Sequence, residues 1–223
     1  MEKILLVEAD YRNKFPPIGL MKISTYHKKK GDYVEFYKGK APYSKISEFD
    51  KIYITTLFTF YFDQTVSTIN HYRDYYPDGL IYVGGIAASI MPNKFRSQIG
   101  KVHIQTGRRR TSGDFGYDDD VDIDQLPLDY DILDDVDYKY SAADNFFAYA
   151  TRGCMNRCKF CAVPILEPEF EDVNNLLEQI SHSREVYGDR RNILLMDNNV
   201  LCSKNLKKLV DDLHSLGFIK NTK

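Results

Sequence analysis

Residues 146–164 read FFAYATRGCMNRCKFCAVP, and the spacing inside this run decides how the second half of the chain is read. Cys154, Cys158 and Cys161 form C-x3-C-x2-C, with the aromatic Phe160 just before the last cysteine. Three thiolates on one short loop can grip three corners of a cubane iron–sulfur cluster, whereas a fourth would close it, as in electron carriers. Stopping at three leaves one iron without a protein ligand, and an open position on a metal is where substrate chemistry happens. The apolar FFAYA (146–150) runs straight into Thr151-Arg152-Gly153, and Ala162-Val163-Pro164 follows the last cysteine. That is a strand ending in a ligand loop, placed where α/β folds bind their ligands.

Zinc is the competing reading, with Cys202, His182 or another histidine as a fourth ligand. Zinc modules pair their ligands in two short clips, and the sequence has no second clip. A disulfide framework fits less well, because three of the four cysteines lie within eight residues and no secretory layout precedes them.

The composition is ordinary for a globular protein: 223 residues, 43% hydrophobic, 28% charged, net charge −2. One or two domains with a sizeable core are expected. A near-neutral balance gives no whole-chain reason to expect nucleic acid. The longest apolar stretch, IYITTLFTFYF (52–62), is too short to span a bilayer. The N-terminal MEKILLVEADY carries acid early and reads as a first strand rather than a signal peptide. The expected setting is a reducing cytoplasm, where thiolates stay available for metal.

Working towards the N-terminus, the first hundred residues alternate strand and helix patterns. KILLV (3–7) is a continuous apolar run, as in a strand buried on both faces. Beyond a Pro-Pro turn, Ile18, Met21, Ile23 and Tyr26 give a helical stripe that ends at Gly31 behind three lysines. Strands follow at 33–37, 51–56, 80–83 and 101–105, with a helix through Val66, Ile69 and Tyr72. This order predicts a doubly wound, parallel, Rossmann-like α/β sheet. Gly84-Gly85 allows either close backbone approach to a ligand or a tight turn. Residues 107–145, with Arg108–Arg110 and the aspartate-rich 118–137, read as an acidic, solvated linker. Leu126, Leu128, Ile132 and Leu133 suggest that part of it lies against a domain. From residue 146 a strand leads into the cysteine loop, a helix is expected over 171–187, a strand over 192–196 and a helix over 204–216. These make two βα units, and Phe218-Ile219 is a candidate third strand.

With TRGCMNRCKFC in view, the chain resembles radical SAM proteins that carry an N-terminal cobalamin (B12)-binding-like domain. FPPIGLMKIS (15–24), VGGIAASIMP (83–92) and Asp-Gln-Leu-Pro (124–127) resemble phrases in the first domain and linker of such proteins. The implied organisation is a B12-binding-like domain over 1–106, an acidic linker over 107–145 and the N-terminal part of a radical SAM core over 146–223.

The resemblance implies that Cys154, Cys158 and Cys161 ligate a [4Fe–4S] cluster and that S-adenosylmethionine chelates the fourth iron. Phe160 would lie against its adenine, and Asp197-Asn198 at the end of the second strand would meet its methionine amino group. The alternative job for Asp197 is capping the second helix. Reduction would yield a 5′-deoxyadenosyl radical for an unidentified substrate, with the electron supplied by a donor such as a flavodoxin or ferredoxin.

Two departures qualify these implications. The Asp-x-His-x-x-Gly motif of axial-histidine cobalamin domains is not present, so cobalamin stays an open cofactor. His27, His71 and His103 read as packing or surface histidines. Family barrels also carry more βα units than the two legible here, which implies a truncated, split or excised product, or a second chain that completes the barrel. Whether the chain alone is an enzyme turns on that point. The alternative is a catalytically incomplete fragment that acts as a corrinoid- or partner-binding module.

Overall fold

The apolar run at residues 3–7 becomes the middle of a sheet. In the computed structural model, which describes residues 1–76, 80–108 and 111–218, strand β1 (Lys3–Glu8) pairs in parallel with β2 (Tyr33–Lys38) on one side and β3 (Lys51–Thr56) on the other. Strands β4 (Leu80–Gly85) and β5 (His103–Ile104) extend the sheet in the order β2-β1-β3-β4-β5, all parallel. The chain divides into two compact units, Met1–Tyr140 and Ser141–Lys223.

Alternation along the strands sends successive side chains to opposite faces. Leu5, Val7, Ile52, Ile54, Ile81 and Val83 form one core with Ile46 of α2 (Tyr43–Ile46), with Val66, Ile69 and Tyr72 of α3 (Phe62–Tyr75), and with Ala87 of α4 (Ile86–Ile90) and Phe95 of α5 (Pro92–Ile99). The other face is covered by α1 (Ile18–Lys29), which packs on β1, β2 and β3. A two-faced parallel sheet is therefore present in the first unit, as the alternating pattern predicts. Among the described residues no helix is long and apolar enough to cross a membrane.

The acidic stretch is not a solvated linker. Residues 111–140 belong to the first unit and form 3-10 turns at Ser112–Phe115, Ile123–Gln125 and Asp131–Asp135. Phe115, Ile123, Leu128, Tyr130, Ile132 and Tyr140 are buried. Three of the aspartates have partners on α1: Asp129, 2% exposed, accepts from Ser24 Oγ at 2.5 Å and from Lys28 Nζ at 2.7 Å. Asp124 meets Lys22 Nζ at 3.0 Å, and Asp119 accepts from Tyr26 Oη at 2.7 Å. Asp124 and Asp129 each meet a lysine of α1, which offsets the cost of leaving water, whereas Asp135 accepts the Phe36 N–H of β2 at 2.8 Å. Arg108 lies 3.7 Å from Asp124; Arg109 and Arg110 fall outside the described residues.

The Gly84-Gly85 pair lies inside β4, opposite Thr55 and Thr56. Gly85 has φ +102°, and a Cβ there would stand 2.3 Å from the Thr56 carbonyl oxygen. Its close approach is to the neighbouring strand.

In the second unit, β6 (Phe146–Ala148) pairs in parallel with β9 (Ile193–Leu195), and α7 (Leu176–Tyr187) and α8 (Leu206–Ser215) follow the two strands. Phe146, Ala148, Ala150, Leu176, Ile180 and Leu209 form its core. Three expectations are corrected. The strand expected through residue 151 breaks after Ala148 and resumes as β7 (Thr151–Arg152). Glu171 and Asp172 are not helical but form β8 (Glu171–Asp172), antiparallel to β7. Phe218 donates its N–H to Leu213 O and lies edge-on to Phe146; it is not in a strand, and Ile219 falls outside the described residues.

Candidate metal centre

The cysteine loop is built on a closed root. Strands β7 and β8 pair as a two-stranded antiparallel ribbon separate from the β6–β9 sheet, with Thr151 opposite Asp172 and Arg152 opposite Glu171. Residues 153–170 are the excursion between them, with one helical turn, α6 (Val163–Leu166), that carries Pro164 in its first turn. Pro168 keeps Glu167 out of helical geometry, and Glu167 sits at φ −138°, ψ 79°. Gly153, immediately before the first cysteine, has φ +72°. A Cβ at 153 would stand 2.1 Å from the Glu169 carbonyl oxygen and 3.1 Å from that of Glu167. Only glycine lets the chain turn into the loop while its own return limb packs against it.

All four cysteines are free thiols, with Cys154 and Cys161 half-buried and Cys158 exposed. Cys158 and Cys161 are linked by a tight turn, Cys161 N to Cys158 O at 3.0 Å. The Cys154 sulfur accepts two N–H groups at 3.4 Å, from the backbone of Asn156 and from Asn199 Nδ2. Phe160 is 94% exposed at the crest of the loop, and Met155 is 64% exposed. Cys202 is half-exposed in a 3-10 turn, Val200–Cys202. His182 is exposed on α7.

The Asp197-Asn198-Asn199 triplet, at the carboxyl end of β9, grips this loop at three points. Asp197 Oδ1 accepts from Thr151 Oγ1 at 2.6 Å and from the Thr151 N–H, and its Oδ2 accepts from Ala150 N at 3.1 Å. It ties the end of β9 to the break after β6 and caps no helix; α8 has Asn205 at its N-cap. Asn198 Nδ2 donates to Glu167 Oε2 at 2.9 Å. That same oxygen takes the Gly153 N–H at 2.6 Å, and Glu167 Oε1 lies 3.2 Å from Arg152 Nη1. Asn199 reaches the Cys154 sulfur. Asp197 and Asn198 therefore meet the loop as the sequence places them, at a strand end. Sequence reading passed over Glu167, Asn199 and Thr151. The triplet's hydrogen-bonding residues at a strand's carboxyl end were the available sign for Asn199; no periodicity marks Glu167.

Among the described residues one set of three ligand-type atoms lies mutually within 4.8 Å, from Glu2, His27 and Asp32. This set is a hydrogen-bond network at the amino ends of β1, β2 and β3, away from the ends where such sheets bind ligands. His27 is fully buried, with Nδ1 2.9 Å from Asp32 Oδ2 and Nε2 3.2 Å from Tyr53 Oη. Burial pushes its pKa below the ordinary 6.5. Burial pushes Asp32 up, but hydrogen bonds from the Glu2 N–H and His27 outweigh it and hold Asp32 below 3.8. A neutral imidazole donating from Nδ1 to an ionised Asp32 and accepting from the Tyr53 hydroxyl satisfies both shifts. Lys51 Nζ lies 4.0 Å from Glu2, a cation already beside the carboxylate. His27 is a packing histidine, as are His71, stacked on Tyr43 at 4.8 Å, and His103, stacked on Tyr82 at 4.9 Å. The three loop cysteines are not all within 4.8 Å of one another.

No family model matches the chain, and no curated protein matches it.

Proposed function

We propose that the second unit binds a [4Fe–4S] cluster through Cys154, Cys158 and Cys161 and presents its open iron to S-adenosylmethionine, as a radical SAM protein does. The observation that carries this reading is three free cysteines on one loop whose root is clamped, at the carboxyl ends of two parallel strands, by Asp197, Asn198 and Asn199.

With the cluster bound and reduced, the chemistry supplied is one-electron cleavage of the sulfonium C5′–S bond, giving methionine and a 5′-deoxyadenosyl radical that takes hydrogen from a substrate. The chain's own residues bind and aim. The exposed Phe160 ring offers a face to adenine. The Asp197 carboxylate holds three donors and keeps one acceptor position, enough for one hydrogen of the methionine ammonium. Glu167 and Asn198 fix the Gly153 turn from which Cys154 projects. The electron comes from a small donor protein of the flavodoxin or ferredoxin kind.

The test is anaerobic reconstitution with iron and sulfide, then dithionite and S-adenosylmethionine, with 5′-deoxyadenosine and methionine measured. Production of both supports the reading. A full cluster with neither product rejects catalysis by this chain and favours a binding module that serves a partner. The corrinoid form of that module gains nothing from Gly85, whose close approach is to Thr56.

A further inference from the structure

The clamp contains one contact that differs in kind from the rest. Asp197 and Asn198 hold backbone, a hydroxyl and Glu167, but Asn199 holds a sulfur: its Nδ2 lies 3.4 Å from Cys154 Sγ, and the Asn156 backbone N–H reaches the same atom at 3.4 Å. Asn199 is set for this by its backbone. It stands at φ −161°, ψ 74° just ahead of the Val200–Cys202 turn, and its carbonyl takes the Cys202 N–H at 3.2 Å. The side chain is thus held at the end of β9 and directed into the loop. Asn199 is half-buried, so the contact is partly shielded from water and from competing donors.

An N–H that points at a ligating sulfur withdraws electron density from it and favours the reduced state of the iron it serves; such hydrogen bonds are among the levers that set iron–sulfur potentials. Among the hydrogen bonds described for the cysteine sulfurs, those to Cys154 are the two just named. The three corners of the site are therefore unequal, and Cys154 is the corner the protein tunes. Resting on the cluster reading above, we infer that Asn199 is a positioning and redox-tuning residue: its amide raises the reduction potential of the cluster through Cys154, while cluster assembly depends on the three cysteines. The Asn156 amide belongs to the loop backbone and cannot be varied by a side-chain change, so Asn199 is the adjustable donor.

The experiment is a redox titration, followed by electron paramagnetic resonance, of the anaerobically reconstituted wild type, Asn199→Leu and Asn199→Asp, with iron and sulfide measured on each. Leucine removes the donor at similar size, and an ionised aspartate replaces it with an acceptor and a negative charge. Iron content should match the wild type in both variants. At a fixed potential the ratio of oxidised to reduced cluster should rise about three- to tenfold for leucine, a fall in midpoint of roughly 30 to 60 mV for a one-electron couple, and further for aspartate. A merely structural role would lower iron content and leave the potential of the remaining cluster unchanged; that result overturns the inference. Full clusters with equal midpoints in all three proteins also overturn it, with the cluster reading intact. A wild type that takes up no iron overturns the cluster reading itself, and the tuning with it.

Discussion

Replacing Asp197 with alanine tests the clamp on which the site is built. The carboxylate takes the Ala150 N–H at 3.1 Å, the Thr151 N–H, and the Thr151 hydroxyl at 2.6 Å. Ala150 is 6% exposed and Thr151 fully buried, so water cannot take over the two amides freely. Each buried N–H left without a partner costs about 1–3 kcal/mol, and the hydroxyl can rotate, so the expected loss is about 2–6 kcal/mol. A unit the size of Ser141–Lys223 has a total stability on the order of 4–12 kcal/mol, so the break after β6 should open readily. Hydrogen exchange followed by mass spectrometry reads this locally. Peptides covering 146–153 and 193–199 should lose about 30-fold or more in protection, since about 1.4 kcal/mol is a factor of ten, while peptides from β1 and β3 stay unchanged. Asp197→Asn keeps one acceptor oxygen but turns an NH2 group towards a donor, and should fall between the two. Protection of 146–153 within about threefold of wild type in Asp197→Ala would refute the clamp.

Two further expectations concern single residues. Gly153→Ala should disrupt the loop, because its Cβ would meet the Glu169 carbonyl oxygen at 2.1 Å at a φ of +72°. Gly188→Ala, at φ +76° and ψ 178° with nothing within 4 Å, should cost only the backbone strain of that glycine-favoured region, about 1–3 kcal/mol; equal urea midpoints for the two variants would contradict the added steric clash at 153. Burial holds His27 below 6.5 in the folded protein, so the unfolded chain binds more protons between that depressed value and 6.5. Its contribution to the first unit's stability is complete above pH 6.5 and is lost as pH falls through this window, by up to about 1.4 kcal/mol per pH unit. Urea denaturation followed by circular dichroism between pH 5 and 7.5 should show this slope in the wild type and lose it in His27→Gln; an identical slope in both would exclude His27 as its source.

The first unit was the more legible half because a continuous apolar run such as KILLV admits few readings other than a strand covered on both faces. The helix stripe through Met21 and Tyr26, and the glycine stop at Gly31, belong to the same local pattern. The acidic stretch was misread because charge density describes a segment, whereas burial depends on its partners. Asp124 and Asp129 are placed by Lys22, Ser24 and Lys28, roughly a hundred residues earlier, and no local pattern carries that pairing.

In the second unit the cysteines and the strand-end triplet were visible as residue types at a spacing. The antiparallel β7–β8 root was not, because two-residue strands are too short to show alternation. Asp197 was legible as a functional position, yet its donors come from the break after β6 and not from its own helix. Glu167 was invisible because its role depends on the left-handed turn at Gly153, a property of folded backbone.

In the proposed reading three cysteines, and not four ligands, hold an iron–sulfur cluster. Iron, sulfide and zinc should be measured on anaerobically reconstituted wild type beside Cys158→Ala and Cys202→Ala. About four iron and four sulfide per chain are expected in the wild type and in Cys202→Ala, and loss of iron in Cys158→Ala, because two thiolates cannot hold the cubane. One zinc per chain without iron, or loss of the metal from Cys202→Ala, would contradict it.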